Sequence, residues 1–465
     1  MRYRSTRGSL SANAPNFADI LLAGLAPDGG LFMPESWPQI DAATLREWRA
    51  LPYADLAAEV MAPFTAGAID RDTLRTMARD AYGRFAHKAV VPLAEVEQDL
   101  YALELFHGPT LAFKDMAMQM LGRLFDHVLT QRDQRVTIVG ATSGDTGSAA
   151  IEACRGRERL QVVILHPKGR TSDVQRRQMT TVQDDNILNI AVEGDFDTCQ
   201  DIVKAMFADT SFRDEVSLSA VNSINWARIA AQIPYYVRSA LALGAPDREI
   251  SFAVPTGNFG NVLAAWAAKQ MGLPIRQLCV GSNRNDILTR FLLTNDMSVR
   301  GVEPSLSPSM DIQVSSNFER LLFEMLDRDS ERCGSIMREF RSSGRMNVPQ
   351  DAWERIRTLF NGKTLNDEET SAAMRQFYAE SQYLADPHTA IGLAAGRAFQ
   401  EPGIPMIAAA TAHPAKFPAA VHAATGLDAH LPPHLADLHS RPERYDSLSS
   451  ELVTIQNAVR AHINR

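Results

Sequence analysis

A chain of 465 residues, 45% of them hydrophobic and 22% charged, has ample apolar sequence for a large folded core and is not a disordered protein. Its net charge of −8 gives no footprint for nucleic acid or for an anionic membrane surface. Four scattered cysteines, Cys154, Cys199, Cys279 and Cys333, form no CxxC pair; they argue against a zinc ribbon and suit a reducing compartment. No apolar run is long enough to span a bilayer. The opening MRYRSTRGSLSANAPNF has basic residues but no hydrophobic stretch after them, so a cytoplasmic protein without a metal site is expected. Length alone suggests roughly three domains.

Residues 1–95 are rich in helix-like segments such as AATLREWRALPYADLAAEVMAPF and read as a helical N-terminal domain. Next comes FHGPTLAFKDMAMQML, Phe106 to Leu121. At about 100° per residue, Met118, Leu121, Phe125 and Val128 share the face of Lys114, while Asp115, Gln119, Gly122 and Asp126 lie on another. Pro109 marks a helix start nearby. A cation there meets the unfavourable end of the helix dipole, and partial burial further disfavours its charged form. Both favour a neutral, nucleophilic amine of the kind that makes Schiff bases. The plainer reading is a lysine whose stem packs while its ammonium reaches water.

Short aliphatic runs then alternate with helical patterns: Val136–Gly140, Leu160–Pro167, Asn186–Val192, Glu249–Pro255, Arg276–Ser282 and Met406–Thr411. Such alternation predicts a mainly parallel sheet covered by helices, with ligands beyond the carboxyl ends of its strands. After the first run, GATSGDTGSAA offers Gly140, Gly144 and Gly147 for crowded amides and Thr142, Ser143 and Thr146 for hydroxyls, an anion site at a helix start. No Walker lysine follows. A tight turn with Ser and Thr capping explains the loop equally well. In VNSINWARIAAQIPYYV, Asn222, Ser223 and Arg228 gather at another helix start as a phosphate-recognition set. The alternative is two capping residues and a surface arginine, since Arg228 shares a face with Gln232 opposite the apolar side.

Beyond the fourth run, Gly257, Asn258, Phe259, Gly260 and Asn261 open a helix, and their spacing is not the dinucleotide GxGxxG. Two anion-competent loops on one sheet suit a phosphorylated cofactor and an anionic substrate. Residues 284 to about 380 are polar and helical and read as an insertion rather than more sheet. Asp386, His388 and Thr389 in ADPHTAIG are further candidates, although a single histidine is more often structural. Thr411, in ATAHPAKFP, can hydrogen-bond a ring nitrogen or can merely end a strand.

A nucleophilic lysine, two anion loops and a hydroxyl for a ring nitrogen together suggest pyridoxal phosphate. The chain here resembles the threonine synthase family over nearly its whole length. YRSTRG, GLAPDGGLFMPESWP, HGPTLAFKDMAMQ, GATSGDTGSAA, NSINWARI, VPTGNFGN, SPSMDIQVSSNFERL, DPHTAIG and ATAHPAKFP match in order. The match is to the long branch, which carries the N-terminal domain and the insertion. The resemblance implies an α/β fold-type II pyridoxal-phosphate enzyme, similar to tryptophan synthase β, with two mainly parallel sheet domains wrapped by helices plus a helical N-terminal domain. It places the N-terminal domain at 1–95, a large cofactor-binding domain at 96–116 and 236–465, and a small substrate-binding domain at 117–235.

The activity implied is conversion of O-phospho-L-homoserine and water to L-threonine and phosphate, a lyase step that ends threonine biosynthesis. Carried over residue by residue, Lys114 holds pyridoxal 5'-phosphate as a Schiff base and serves as the base. Gly257, Asn258, Phe259, Gly260 and Asn261 cradle the cofactor phosphate, Thr411 contacts the pyridine nitrogen and Asp145 lies near the phenolic oxygen. Thr142, Ser143, Gly144 and Thr146 hold the substrate, with Asn222, Ser223 and Arg228 on its phosphate. The alternatives are a phospho-lyase or a dehydratase on the same fold, or a relic that senses an amino acid. The expected partner is the small-molecule substrate, with neither nucleic acid nor membrane, in a monomer or a homodimer.

Overall fold

The computed structural model describes residues 1–8, 14–142, 144–220 and 222–464. In chain order its strands are β1 (Tyr3–Ser5), β2 (Phe32–Pro34), β3 (Leu93–Glu97), β4 (Leu100–Glu104), β5 (Val136–Ala141), β6 (Leu160–Pro167), β7 (Ile187–Val192) and β8 (Leu218–Ser219). There follow β9 (Ile250–Pro255), β10 (Ile275–Ser282), β11 (Met297–Ser298), β12 (Arg345–Met346), β13 (Phe360–Thr364), β14 (Met406–Ala410) and β15 (Asp446–Leu448). All six aliphatic runs are strands, but they do not share a sheet. Those before residue 200 lie in a unit of Gly108–Asn222 with His430–Arg465, and those after residue 249 in a unit of Met1–His107 with Ser223–Ala429. The two anion-competent loops therefore belong to different sheets, because the helical crossovers that follow β5 and β9 each return the chain to its own sheet.

The larger unit is built on the order β13-β10-β9-β14-β4-β3, parallel except for β3, which runs antiparallel to β4. Every residue of β9 is buried, as expected of a parallel strand covered on both faces. The insertion is not wholly outside this sheet. Phe360–Thr364 comes back as the edge strand beside β10, because the rim of β10 would otherwise present unpaired backbone groups. The N-terminal region lies within the larger unit. Its Tyr3, Trp37 and Phe64 rings pack around Trp226 at centroid distances of 6.4, 5.9 and 5.6 Å, joining the hydrophobic faces of both segments. Below them Glu319 accepts hydrogen bonds from the Thr6 hydroxyl and from Arg7 Nε at 2.8 Å, a buried charge met by a buried partner.

The smaller unit carries the all-parallel order β15-β7-β6-β5-β8. Its outermost strand comes from the C-terminal segment, which the reading of 236–465 as one domain had placed elsewhere. β15 covers the edge of β7, and Ile455 and Val459 of the Leu452–Ile463 helix enter the same core as Val163, Leu165 and Ile190. Glu443 fastens this segment by accepting from Arg176 Nε at 2.9 Å and the Thr180 hydroxyl at 2.7 Å. These donors pull its pKa from 4.5 down to about 2, with Arg176 the largest cause. A depressed folded-state pKa means stability that is present above about pH 4.5 and is lost as pH falls through about 2. Glu443→Gln should therefore lower the unfolding free energy at pH 7 by about 2 kcal/mol, a gap that narrows below pH 4.5. Denaturant titration of both proteins at several pH values reads that gap directly. No helix among the described residues is long and apolar enough to cross a membrane.

Candidate active site

Lys114 is the first residue of the Lys114–Arg132 helix. The turn before it is tied down by Asp115, whose buried carboxylate accepts the Thr110 amide at 2.7 Å and the Thr110 hydroxyl at 2.8 Å. The helix is buried on both faces, Gln119, Gly122 and Arg123 included. Lys114 itself is only 13% exposed, and its Nζ donates to Asp145 Oδ2 at 3.3 Å. That contact replaces the picture of an ammonium reaching bulk water. Asp145 opens the Asp145–Cys154 helix, where a carboxylate meets the positive end of the dipole. In the same loop, the Thr142 hydroxyl oxygen accepts the amides of Gly144 at 2.9 Å and Gly147 at 3.0 Å. Thr142 thus staples the loop, and Thr146 is half-buried beside it. Ser143 lies outside the described residues.

In the larger unit, the loop after β9 shows why its sequence is PTGNFGN. Ser315 Oγ donates to the Gly257 carbonyl at 2.7 Å, and Asn317 donates to the Asn258 carbonyl from its amide at 3.1 Å and from Nδ2 at 3.0 Å. Across a trans peptide the following N–H points the opposite way. The amides of Asn258 and Phe259 are therefore turned away from the insertion, at the start of the Gly260–Gln270 helix. Phe259 takes φ +62°, the left-handed turn that aligns successive amides into an anion cradle. A Cβ on Gly257 would come within 2.9 Å of the Ser309 carbonyl oxygen. Asn261 fills its Oδ1 with the Tyr235 and Tyr236 hydroxyls, while its Nδ2 is a buried donor without a partner among the described residues.

Asn317 Nδ2 also donates to the Ser223 carbonyl at 3.1 Å, and Arg320 Nη2 to the Ile224 carbonyl at 2.6 Å. One insertion segment thus holds two loops in fixed relation. Sequence reasoning gave Ser315, Asn317 and Arg320 no role, although SSNFER stood among the family motifs. Asn225 caps the Trp226–Ala230 helix, so Asn222 and Ser223 are not the cap; Asn222 is exposed and Ser223 half-buried in the preceding turn. Arg228 is not a surface residue. It is 5% exposed, its Nε has no hydrogen-bond partner among the described residues, and burial pulls its pKa down to about 10. A buried guanidinium without a carboxylate is costly unless an anion meets it. Thr411 is buried just past β14. Asp386 caps the Pro387–Ala398 helix, and one of its oxygens lies 2.7 Å from His388 Nδ1.

The chain as a whole is similar to known proteins. The family model for pyridoxal-phosphate dependent enzymes matches residues 88–340, and those for the threonine synthase N terminus and C-terminal region match 2–82 and 389–459. Threonine synthase of Pseudomonas aeruginosa is 52% identical over 100% of this chain and 99% of its own. The chain belongs to the threonine synthase family. The PLP-bound threonine synthase from Brucella melitensis superposes with a TM-score of 0.97 at 50% identity, over 99% of each chain. The yeast threonine synthase does so with 0.95 at 39% identity, over 100% of this chain and 99% of that one. The fold is accordingly that of fold-type II pyridoxal-phosphate enzymes.

The residues of this chain fit the pyridoxal phosphate of its family. A mostly buried amine is available to condense with an aldehyde, and a glycine-bearing loop turns its amides outward at a helix start. The orphaned Nδ2 of Asn261 adds a further buried donor in that loop. Gly257→Ala forces its methyl against the Ser309 backbone and is expected to raise the dissociation constant for pyridoxal phosphate about tenfold. Fluorescence titration of the stripped protein measures it.

Proposed function

We propose that Lys114 carries the cofactor and then acts as the base, that the Gly257–Asn261 loop holds the cofactor phosphate, and that Arg228 takes the substrate phosphate. The activity is that of the family: O-phospho-L-homoserine and water become L-threonine and phosphate. Bound pyridoxal phosphate supplies the electron sink for the pair left at Cα. Lys114 Nζ, released when the substrate amine takes its place, accepts the Cα proton and serves the later proton transfers at Cβ. Asp145 orients that amine and accepts its hydrogen bond. Arg228, with Asn222 and Ser223 as neutral donors, steadies the phosphate as it leaves Cγ. Thr142, Gly144 and Thr146, together with Ser143, hold the rest of the substrate, and Thr411 meets the ring nitrogen.

The observation that favours a phosphorylated substrate is Arg228 itself, a buried cation whose Nε has no partner among the described residues. A dehydratase acting on a neutral hydroxyl has no use for it. Four buried free cysteines support a cytoplasmic setting, and a monomer or homodimer remains the expected assembly, to be read by light scattering. The deciding assay supplies O-phospho-L-homoserine and pyridoxal phosphate and scores phosphate with the organic product. Equimolar phosphate and threonine are expected. Phosphate with 2-oxobutyrate would move the chain to a phospho-lyase, and no phosphate would overturn the reading.

A further inference from the structure

The Asp145 carboxylate has a second partner on the helix Asp173–Thr180. Gln175 Nε2 donates to Asp145 Oδ1 at 2.8 Å, while Lys114 occupies Oδ2. The other end of the carboxamide is fixed as well, because the Ser172 hydroxyl donates to Gln175 Oε1 at 2.9 Å. Space for this side chain exists only because residue 144 is glycine. Gly144 adopts φ +150°, and a Cβ there would sit 2.5 Å from Gln175 Cδ. Three residues later on the same helix, Gln178 Nε2 donates to the Thr110 carbonyl at 3.1 Å, and Val174 packs on Leu111. The helix thus grips the turn before Lys114 and the carboxylate beyond it at once. Both grips are neutral amides.

We propose that Gln175 is a positioning residue: it holds the Asp145 carboxylate in register with the Lys114 amine and, by sharing its negative charge, limits how strongly that carboxylate retains the ammonium. This rests on the reading of Lys114 as the reactive amine. The carboxamide's N–H draws charge from Oδ1, leaving less on Oδ2 for the lysine. Without it, Lys114 is held more firmly as the cation and is a poorer nucleophile. The effect runs through Asp145 and must vanish when Asp145 carries no charge.

The test measures the rate at which trinitrobenzenesulfonate labels Lys114 in the full chain stripped of cofactor, read peptide by peptide, alongside steady-state kinetics of the reconstituted enzyme. Gln175→Met is expected to slow labelling at Lys114 about tenfold, and Gln175→Glu more, with other lysines unchanged. The kcat of Gln175→Met should fall about tenfold with KM within about twofold. In an Asp145→Asn background the same substitution should leave labelling unchanged. Equal slowing in both backgrounds, or no slowing in either, overturns the proposal. Ser172→Ala, which removes only the hydroxyl that holds the carboxamide, should show the same pattern at smaller size if Gln175→Met folds poorly. Retained turnover in Lys114→Ala would instead defeat the reading of the lysine, and the labelling would still judge the Gln175–Asp145 link by itself.

Discussion

Lys114→Ala is expected to lower kcat by at least about 10³-fold, since one amine is asked both to carry the cofactor and to move protons at Cα and Cβ. Lys114→Arg should fare no better. It keeps a cation beside Asp145, but a guanidinium neither condenses with an aldehyde nor deprotonates near neutral pH. The pair of variants therefore separates chemistry from charge balance. Phosphate and threonine release are the measured quantities, with the thermal midpoint as the check on folding. Because Lys114 and Asp145 bury opposite charges together, Lys114→Ala removes the cation beside a carboxylate that Gln175 still contacts. A modest loss of stability beside the large loss of turnover is the expected pairing.

Arg228→Met should do the reverse to stability. The wild-type guanidinium is buried, its Nε has no partner among the described residues, and its pKa is pulled down to about 10 by burial. A thioether of similar length removes that desolvation cost, so the thermal midpoint of the variant is expected to rise. Its kcat/KM on O-phospho-L-homoserine should fall by roughly 10- to 150-fold, the value of a charge-assisted hydrogen-bond pair to phosphate. Inorganic phosphate should stabilise the wild type in a concentration-dependent way and leave Arg228→Met unmoved. Unchanged kcat/KM would remove Arg228 from the substrate site. A buried cation kept at the expense of stability is what a phosphate site demands, and the two opposed shifts together are hard to produce by structural damage alone.

Much of the architecture was legible in the amino-acid order because its signals are local. The aliphatic runs Val136–Gly140 and Leu160–Pro167 are strands almost to the residue, and Lys114 stood out from its apolar surroundings before any contact was known. Short irregular strands were not legible: β13 has the sequence FNGKT and β15 the sequence DSL, neither with an aliphatic run. Their pairing is decided by the open edges of β10 and β7. The surface alternative for Arg228 fails for a related reason. Helical periodicity places it with Gln232, opposite the apolar side, yet both residues are buried because the tertiary packing covers that side too.

The sequence by itself determined the family, the strand-loop-helix rhythm and the residue types able to hold a phosphorylated cofactor, all properties of motifs a few residues long. Only the tertiary structure decided that the C-terminal segment joins the sheet of β5 to β7 and that Asp145 lies between Lys114 and Gln175. Those outcomes depend on residues 31 and 30 positions apart meeting through backbone edges and buried side chains. Such meetings are set by which surfaces must leave water and which polar groups must then find partners, and no local pattern encodes them.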